Sequence, residues 1–409
     1  MTTLILLLYL AALAFRCGLQ RLNNRHLREH GHEVPAGFET ALDPATLART
    51  SAYTLTKGQF SLVHGLFDSL LTLLFIFGGL LTWYDGWLAG WSLNFITAGL
   101  AFFLLLSLAQ AVLGLPFELY SHFKIESRFG FNRMSFRLWC ADQFKTMLLS
   151  TLFFALVGTV AFWLIQAAPT SWWLWVWMLL VAFGLLLMVI APVVIEPLFF
   201  KFEPLKVDGL EQEVRAMMAK AGLSVSKVLQ VDASRRSTHS NAYFTGLGRQ
   251  KRVVLFDTLL QQLSKEEILA VLAHELGHMK KRHIVKRMML MAAAALIYCW
   301  LAYVLIGWPG LPLLVGLTEA SFYARVVILF FLAGILTFPL TPLFSLLSRR
   351  HEFEADRFAG ELHGNPEDLA TALIKMSREN LANLHPHPLY ARFYYSHPPL
   401  VERVEKLRE

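Results

Sequence analysis

Ala273-His274-Glu275-Leu276-Gly277-His278 lies inside a helix whose start and buried face are both written in the sequence. Ser264 with Glu267 three positions later supplies a capping box, and Ile268, Leu269, Val271, Leu272 and Leu276 recur at helical spacing. Residues four apart share a helix face, so His274 and His278 stand one above the other and can bind one metal ion. Glu275 then sits beside the metal, where a general base needs to be to take a proton from an activated water. Two histidines do not complete such a site, and a third ligand must come from elsewhere in the chain.

The chain has 409 residues, 56% of them hydrophobic and 16% charged, with a mean hydropathy of +0.48. That composition excludes an ordinary soluble protein and requires several membrane spans. The net charge of +7 could suit a nucleic-acid binder, but the basic residues fall in the loops between apolar segments. The bilayer is therefore the expected partner, and no nucleic acid is. Cys17, Cys140 and Cys299 are widely separated, so neither a cysteine zinc site nor a disulfide framework is supported. The apolar run from 3 to 15 has no basic residue before it and no small-x-small site after it, and reads as a membrane helix rather than a cleaved leader.

Apolar runs long enough to cross a bilayer fall at 3–17, 60–84, 94–116, 146–168, 172–200, 288–308 and 323–347. The loop after the first holds Arg16, Arg21, Arg25, Arg28, Arg49 and Lys57, and that after the third holds Lys124, Arg128, Arg133, Arg137 and Lys145. The connections at 85–93, 166–171 and 308–322 hold no Lys or Arg. The positive-inside rule then puts the amino terminus outside and places the metal helix and the carboxy-terminal tail in the cytoplasm.

The expected fold is mainly α and polytopic: seven transmembrane helices with a cytoplasmic zincin-like metalloprotease unit containing a small β-sheet. Residues 1–200 form a membrane region of five helices, and 201–287 the first part of the protease unit. Spans six and seven occupy 288–348, and 349–409 complete the unit. Within 201–287, residues 208–220 read as an amphipathic helix and Val228–Asp232 as a strand. Ser240–Thr245 and Arg252–Asp257 read as paired strands joined by Gly246-Leu247-Gly248. The metal helix should run on into the sixth span, a new helix should begin near His351, and another should cover Pro366 to about Asn383.

The third ligand is sought in His351-Glu352-Phe353-Glu354-Ala355-Asp356. Glu352 and Asp356 share a helical face, and Glu354 points to the opposite side. Glu352 would complete a His-His-carboxylate zinc site, and Asp356 one turn on would hold the second nitrogen of a ligating histidine. His283, five residues past His278 and rotated away from it on a continuous helix, reads as an interfacial polar residue. Glu118 and His122 read as an interfacial hydrogen-bonding pair, and His385 and His387 as turn residues.

These motifs resemble the type I CaaX prenyl endopeptidase family, integral-membrane zinc metalloproteases with His-Glu-x-x-His followed downstream by Glu-x-x-x-Asp. Residues 123–144, His239-Ser240-Asn241-Ala242-Tyr243-Phe244-Thr245-Gly246 and Ser396-His397-Pro398-Pro399-Leu400-Val401-Glu402-Arg403 are similar to further regions of that family. The resemblance implies one Zn²⁺ per chain held by His274, His278 and Glu352, with Glu275 as general base. It places Asn241 on a strand edge that meets an extended substrate, and His397 and Arg403 near the scissile carbonyl. It also implies a ring of spans around a large chamber. The expected substrates are peptides or proteins, prenylated or membrane-associated, and the expected setting is a bacterial cytoplasmic membrane. Two other readings stand beside it: a broad-specificity membrane quality-control metalloprotease, and a transporter or scaffold with a relic metal site. The scarcity of ionisable residues within the spans weighs against the transporter.

Overall fold

The computed structural model describes residues 1–39, 41–246 and 251–409. Among the described residues seven helical segments are long and apolar enough to cross a membrane. The first is α1 (Thr2–His30), and the second α2 (Pro44–Phe77), which is followed by a short α3 (Leu80–Ala89). Then come α4 (Phe95–Tyr120), α5 (Phe136–Ala167) and α6 (Trp172–Ile190), with the four-residue α7 (Glu196–Phe199) at the end of the fifth span. The expected run at 60–84 is thus two helices. Gly78 and Gly79 part them, and Gly79 adopts φ +82°, a left-handed conformation that glycine reaches without a Cβ clash.

The extramembrane unit begins with β1 (Phe202–Pro204), α8 (Leu210–Lys220), β2 (Val225–Val231), β3 (Ala242–Thr245), β4 (Lys251–Phe256) and α9 (Asp257–Gln262). The metal helix is α10 (Lys265–Lys280), and α11 (His283–Ile306) and α12 (Phe322–Thr337) follow. The chain closes with α13 (Thr341–His363), α14 (Pro366–Glu379), α15 (Pro388–Tyr394) and α16 (Leu400–Arg408).

The membrane helices pack in a ring: α1 on α2, α2 on α3 and on the π-helical end of α4, α4 on α5, α5 on α6, α6 on α11, α11 on α12, and α12 on α1. At most 17% of the residues in each span's most apolar window are buried, which suits a ring with lipid outside and an open interior better than a solid bundle. At one end of the ring Tyr53 donates to Glu126 at 2.9 Å, Arg236 pairs with Asp142 at 2.9 Å, and His385 meets the Glu33 carbonyl at 2.8 Å. The first contact joins the ends of the second and third spans, and the other two tie the membrane region to the extramembrane unit.

Several helices run well past their apolar stretches, because backbone hydrogen bonding continues where the side chains turn polar. The basic stretch after the first apolar run is therefore helical to His30. No new helix starts at His351: α13 continues the seventh span after a 3₁₀ turn at Phe338–Leu340, so Glu352 and Asp356 lie on the projecting end of a membrane helix.

The sheet has four strands in the order β1-β2-β4-β3, with β2 and β4 parallel and the outer pairings antiparallel. The antiparallel pairing of β3 with β4 agrees with the sequence; Leu247 and Gly248 of the expected turn lie outside the described residues. β1, three residues ending in proline, carries too little pattern to be read. Val253 and Leu255 face the core beneath α10 with Ile268, Leu272 and Leu276, which seats the metal helix against the sheet. The Ser264 capping box is formed, with Ser264 N to Glu267 Oε2 at 2.8 Å and Glu267 N to Ser264 Oγ at 3.3 Å.

Candidate metal centre and peptidase site

The site is made where α10 crosses α13. A Cβ on Gly277 would lie 3.0 Å from the Ala355 Cα and 3.1 Å from its carbonyl oxygen, so only glycine lets the two backbones come this close. Across this contact His274 Nε2 and His278 Nε2 are 3.1 Å apart. The Glu352 carboxylate lies 3.5 Å from the first and 3.3 Å from the second. These three residues form a cluster able to hold a metal ion. Tetrahedral ligands about 2.1 Å from one ion are about 3.4 Å from each other, so the triangle already has the right size. Glu352 Oε2 is buried without a hydrogen-bond partner among the described residues, as a carboxylate reserved for a cation would be. The donors present, two imidazoles and a carboxylate, suit zinc.

Each of these two histidines is held from behind. His274 Nδ1 lies 2.8 Å from Asp356 Oδ1, and Asp356 takes Nε and Nη2 of Arg403 at 2.9 and 2.6 Å. Burial works to lower the His274 pKa, but the Asp356 and Glu352 carboxylates outweigh it and lift it to about 9. Arg403 is 7% exposed, and its Nη1 is 3.6 Å from Glu352 Oε2, so its fork braces the two carboxylates of α13.

His278 has a second support that the sequence reading did not foresee. Its Nδ1 is 3.0 Å from His283 Nδ1, and His283 Nε2 is 3.0 Å from Glu354 Oε2. His283, read as interfacial, is 4% exposed and stacks on His351 with ring centres 4.0 Å apart. The helix is not continuous here, so the expected rotation of His283 away from His278 does not occur. Arg282 adopts φ +56°, breaks α10 from α11 and turns the His283 ring back toward His278. Lys281-Arg282, two basic residues after a helix rich in α-formers, gave little warning of that break.

Glu275 is partly buried and makes no side-chain hydrogen bond or ion pair among the described residues, and burial raises its pKa. His397 Nε2 comes within 3.4 Å of Glu352 Oε1 from the open side, with its side chain 63% exposed. Asn241 is exposed just before β3, which forms the free edge of the sheet and packs beside α10. Glu118 bonds Gln143, His385 a backbone carbonyl, and His387 caps α15, so these three stay outside the site.

A His-Glu-x-x-His helix, a carboxylate from a projecting membrane helix and an unengaged glutamate beside them define an integral-membrane metallopeptidase. Comparison with known proteins agrees. Residues 23–201 match the model described as "CAAX prenyl protease N-terminal, five membrane helices", and residues 204–409 match peptidase family M48. The CAAX prenyl protease 1 of Saccharomyces cerevisiae and the human CAAX prenyl protease 1 homolog are each 33% identical, over 92% of this chain and 88% of theirs. The crystal structure of Ste24p from S. mikatae superposes with a TM-score of 0.89 at 31% identity, covering 99% of this chain and 98% of the other. The chain belongs to the M48 peptidases of the CAAX prenyl protease 1 type, and is a membrane metalloendopeptidase.

Proposed function

We propose that the chain is a zinc-dependent endopeptidase of the CaaX prenyl protease type, cutting prenylated or membrane-associated peptides at the cytoplasmic face of the membrane. The observation that carries this reading is the convergence of His274, His278 and Glu352 to edges of 3.1–3.5 Å with the unengaged Glu275 beside them. When bound, zinc supplies the Lewis acidity that activates water and polarises the substrate carbonyl. Glu275 takes the proton of the attacking water and passes it to the leaving amine. An extended peptide pairs with the free edge of β3 beside Asn241, which sets its carbonyl over the site. His397 reaches in from the open side and donates to the oxygen that gains charge. Arg403, engaged by Asp356, acts as a positioning residue for His274 and Glu352.

The protease unit is then made of residues 201–287 and 349–409, with 288–348 as the intervening membrane pair. The basic loops support a cytoplasmic site and an external amino terminus, and the compact loops favour a bacterial cytoplasmic membrane. The test compares cleavage of a farnesylated CaaX peptide, its unprenylated form and an unfolded membrane protein, with Glu275→Gln as control. Preference for the farnesylated peptide supports the reading. Equal or better cleavage of the unfolded protein replaces it with the quality-control alternative.

A further inference from the structure

A cavity of about 940 Å³ lies behind the sheet, where the fourth and fifth spans meet the extramembrane unit. Arg252 and Val254 of β4 line it, whereas Val253 and Leu255 of the same strand face α10, so the sheet separates this cavity from the peptidase site. Among the described residues seven Lys and Arg side chains line it against two carboxylates, and Lys201 and Arg235 also pair with Glu203 and Asp232 at 2.7 and 3.3 Å. Both carboxylates are engaged: Glu196 accepts from the Tyr243 hydroxyl at 2.8 Å, and Glu211 pairs with Arg215 at 2.6 Å.

The cations are not all balanced. Lys145 and Arg236 share one carboxylate, Asp142, at 3.1 and 2.9 Å. Lys227 and Arg252 have no carboxylate partner among the described residues. Arg236 is fixed by Asp142 and by the Phe200 ring, 4.7 Å from its guanidinium carbon, so the free positive charge of the wall is that of Lys227 and Arg252. The cavity wall on the membrane side is apolar: Val193 and Leu198, at the end of the fifth span, are 51% and 47% exposed.

We propose that this cavity binds the phosphate-bearing headgroup of an anionic phospholipid. The phosphodiester oxygens accept from Lys227 and Arg252, while the acyl chains leave over Val193 and Leu198 into the bilayer. A phosphate group supplies both what the wall lacks, negative charge and hydrogen-bond acceptors. Free phosphate would satisfy the cations but leave the apolar wall uncovered, so the lipid is the occupant that uses both. Bound there, it joins α5 and α6 to the sheet and fixes the extramembrane unit on the membrane surface. This inference is independent of the peptidase reading, because nothing in it passes through the metal site.

The full chain, purified in detergent, is titrated with phosphatidylglycerol, phosphatidylcholine or sodium phosphate while thermal unfolding is followed. Phosphatidylglycerol is expected to raise the Tm saturably by roughly 2–4 °C, and the other two to leave it unchanged. In Lys227→Ala/Arg252→Ala the titration midpoint should rise about ten- to thirtyfold. In Lys281→Ala/Arg287→Ala, which removes two exposed cations from another part of the surface, it should stay put. If the double variant does not fold, Lys227→Gln, at an exposed strand position, should still raise the midpoint severalfold. The proposal is overturned if the wild type shows no lipid-dependent shift, if sodium phosphate reproduces the shift, or if both double variants bind phosphatidylglycerol alike.

Discussion

Gly277→Ala should loosen the metal site without touching any of its ligands. The new Cβ would stand 3.0 Å from the Ala355 Cα and 3.1 Å from the Ala355 carbonyl oxygen. Ordinary carbon contacts lie at about 3.5–4.0 Å, so relief requires α10 and α13 to part by about half an ångström. Both obstacles are backbone atoms, and no side chain can swing aside to absorb the clash. The His274–His278 spacing of 3.1 Å lies within one helix and is retained, but the 3.3 and 3.5 Å separations to Glu352 lengthen together toward about 4 Å. The stability effects partly cancel: overpacking costs about 1–3 kcal/mol, and replacing glycine in a helix interior returns about 1 kcal/mol. The metal-free protein should therefore lose only about 0–2 kcal/mol, whereas zinc affinity should fall by about tenfold or more. Chelator competition reads the affinity, and thermal unfolding of the metal-free protein reads the stability. Wild-type zinc affinity in Gly277→Ala would refute the argument that this close approach sets the ligand triangle.

The other predictions concern the groups behind the ligands. His283→Phe keeps the ring that stacks on His351 but removes the nitrogen facing His278, and should weaken zinc binding about 10- to 100-fold. Glu354→Gln keeps an acceptor for His283 Nε2 and should bind zinc within a few-fold of wild type, while Glu354→Leu should resemble the His283 variant. In the metal-free protein His274 holds a proton up to about pH 9, and zinc must displace it. The folded-state pKa is raised, so the proton is present below that value. Zinc affinity should accordingly fall by up to about tenfold per unit as pH drops from 9 to 7, and calorimetry in two buffers should show proton release; affinity that is flat over this range would contradict it.

Much of the site was legible because its signals are local. The Ser264 cap, the apolar face of α10 and the spacing of His274 and His278 all lie within fifteen residues, and Glu352 and Asp356 repeat the same logic on α13. What could not be read required knowing where a helix stops. Continuing α10 into the sixth span turned His283 away from His278, and the left-handed residue Arg282 reversed that. Arg403 carries no local signal of its partner, since Asp356 lies 47 positions earlier in the chain. For the spans, hydropathy located the apolar stretches but not their helical ends, because Arg16 to His30 and Ser348 to His363 keep the helix while leaving the apolar pattern. The pairing of β3 with β4 followed from two short strands, whereas the parallel pairing of β2 with β4 is nonlocal and has no periodic signature.

The most direct test of the account is zinc content together with peptide hydrolysis in the wild type and in Glu275→Gln. One zinc per chain is expected in both, with hydrolysis in the wild type and its loss, by about a thousandfold or more, in the variant. Full hydrolysis by Glu275→Gln that retains its zinc would contradict the assignment of Glu275 as the base, and a wild type that binds no zinc would contradict the site itself.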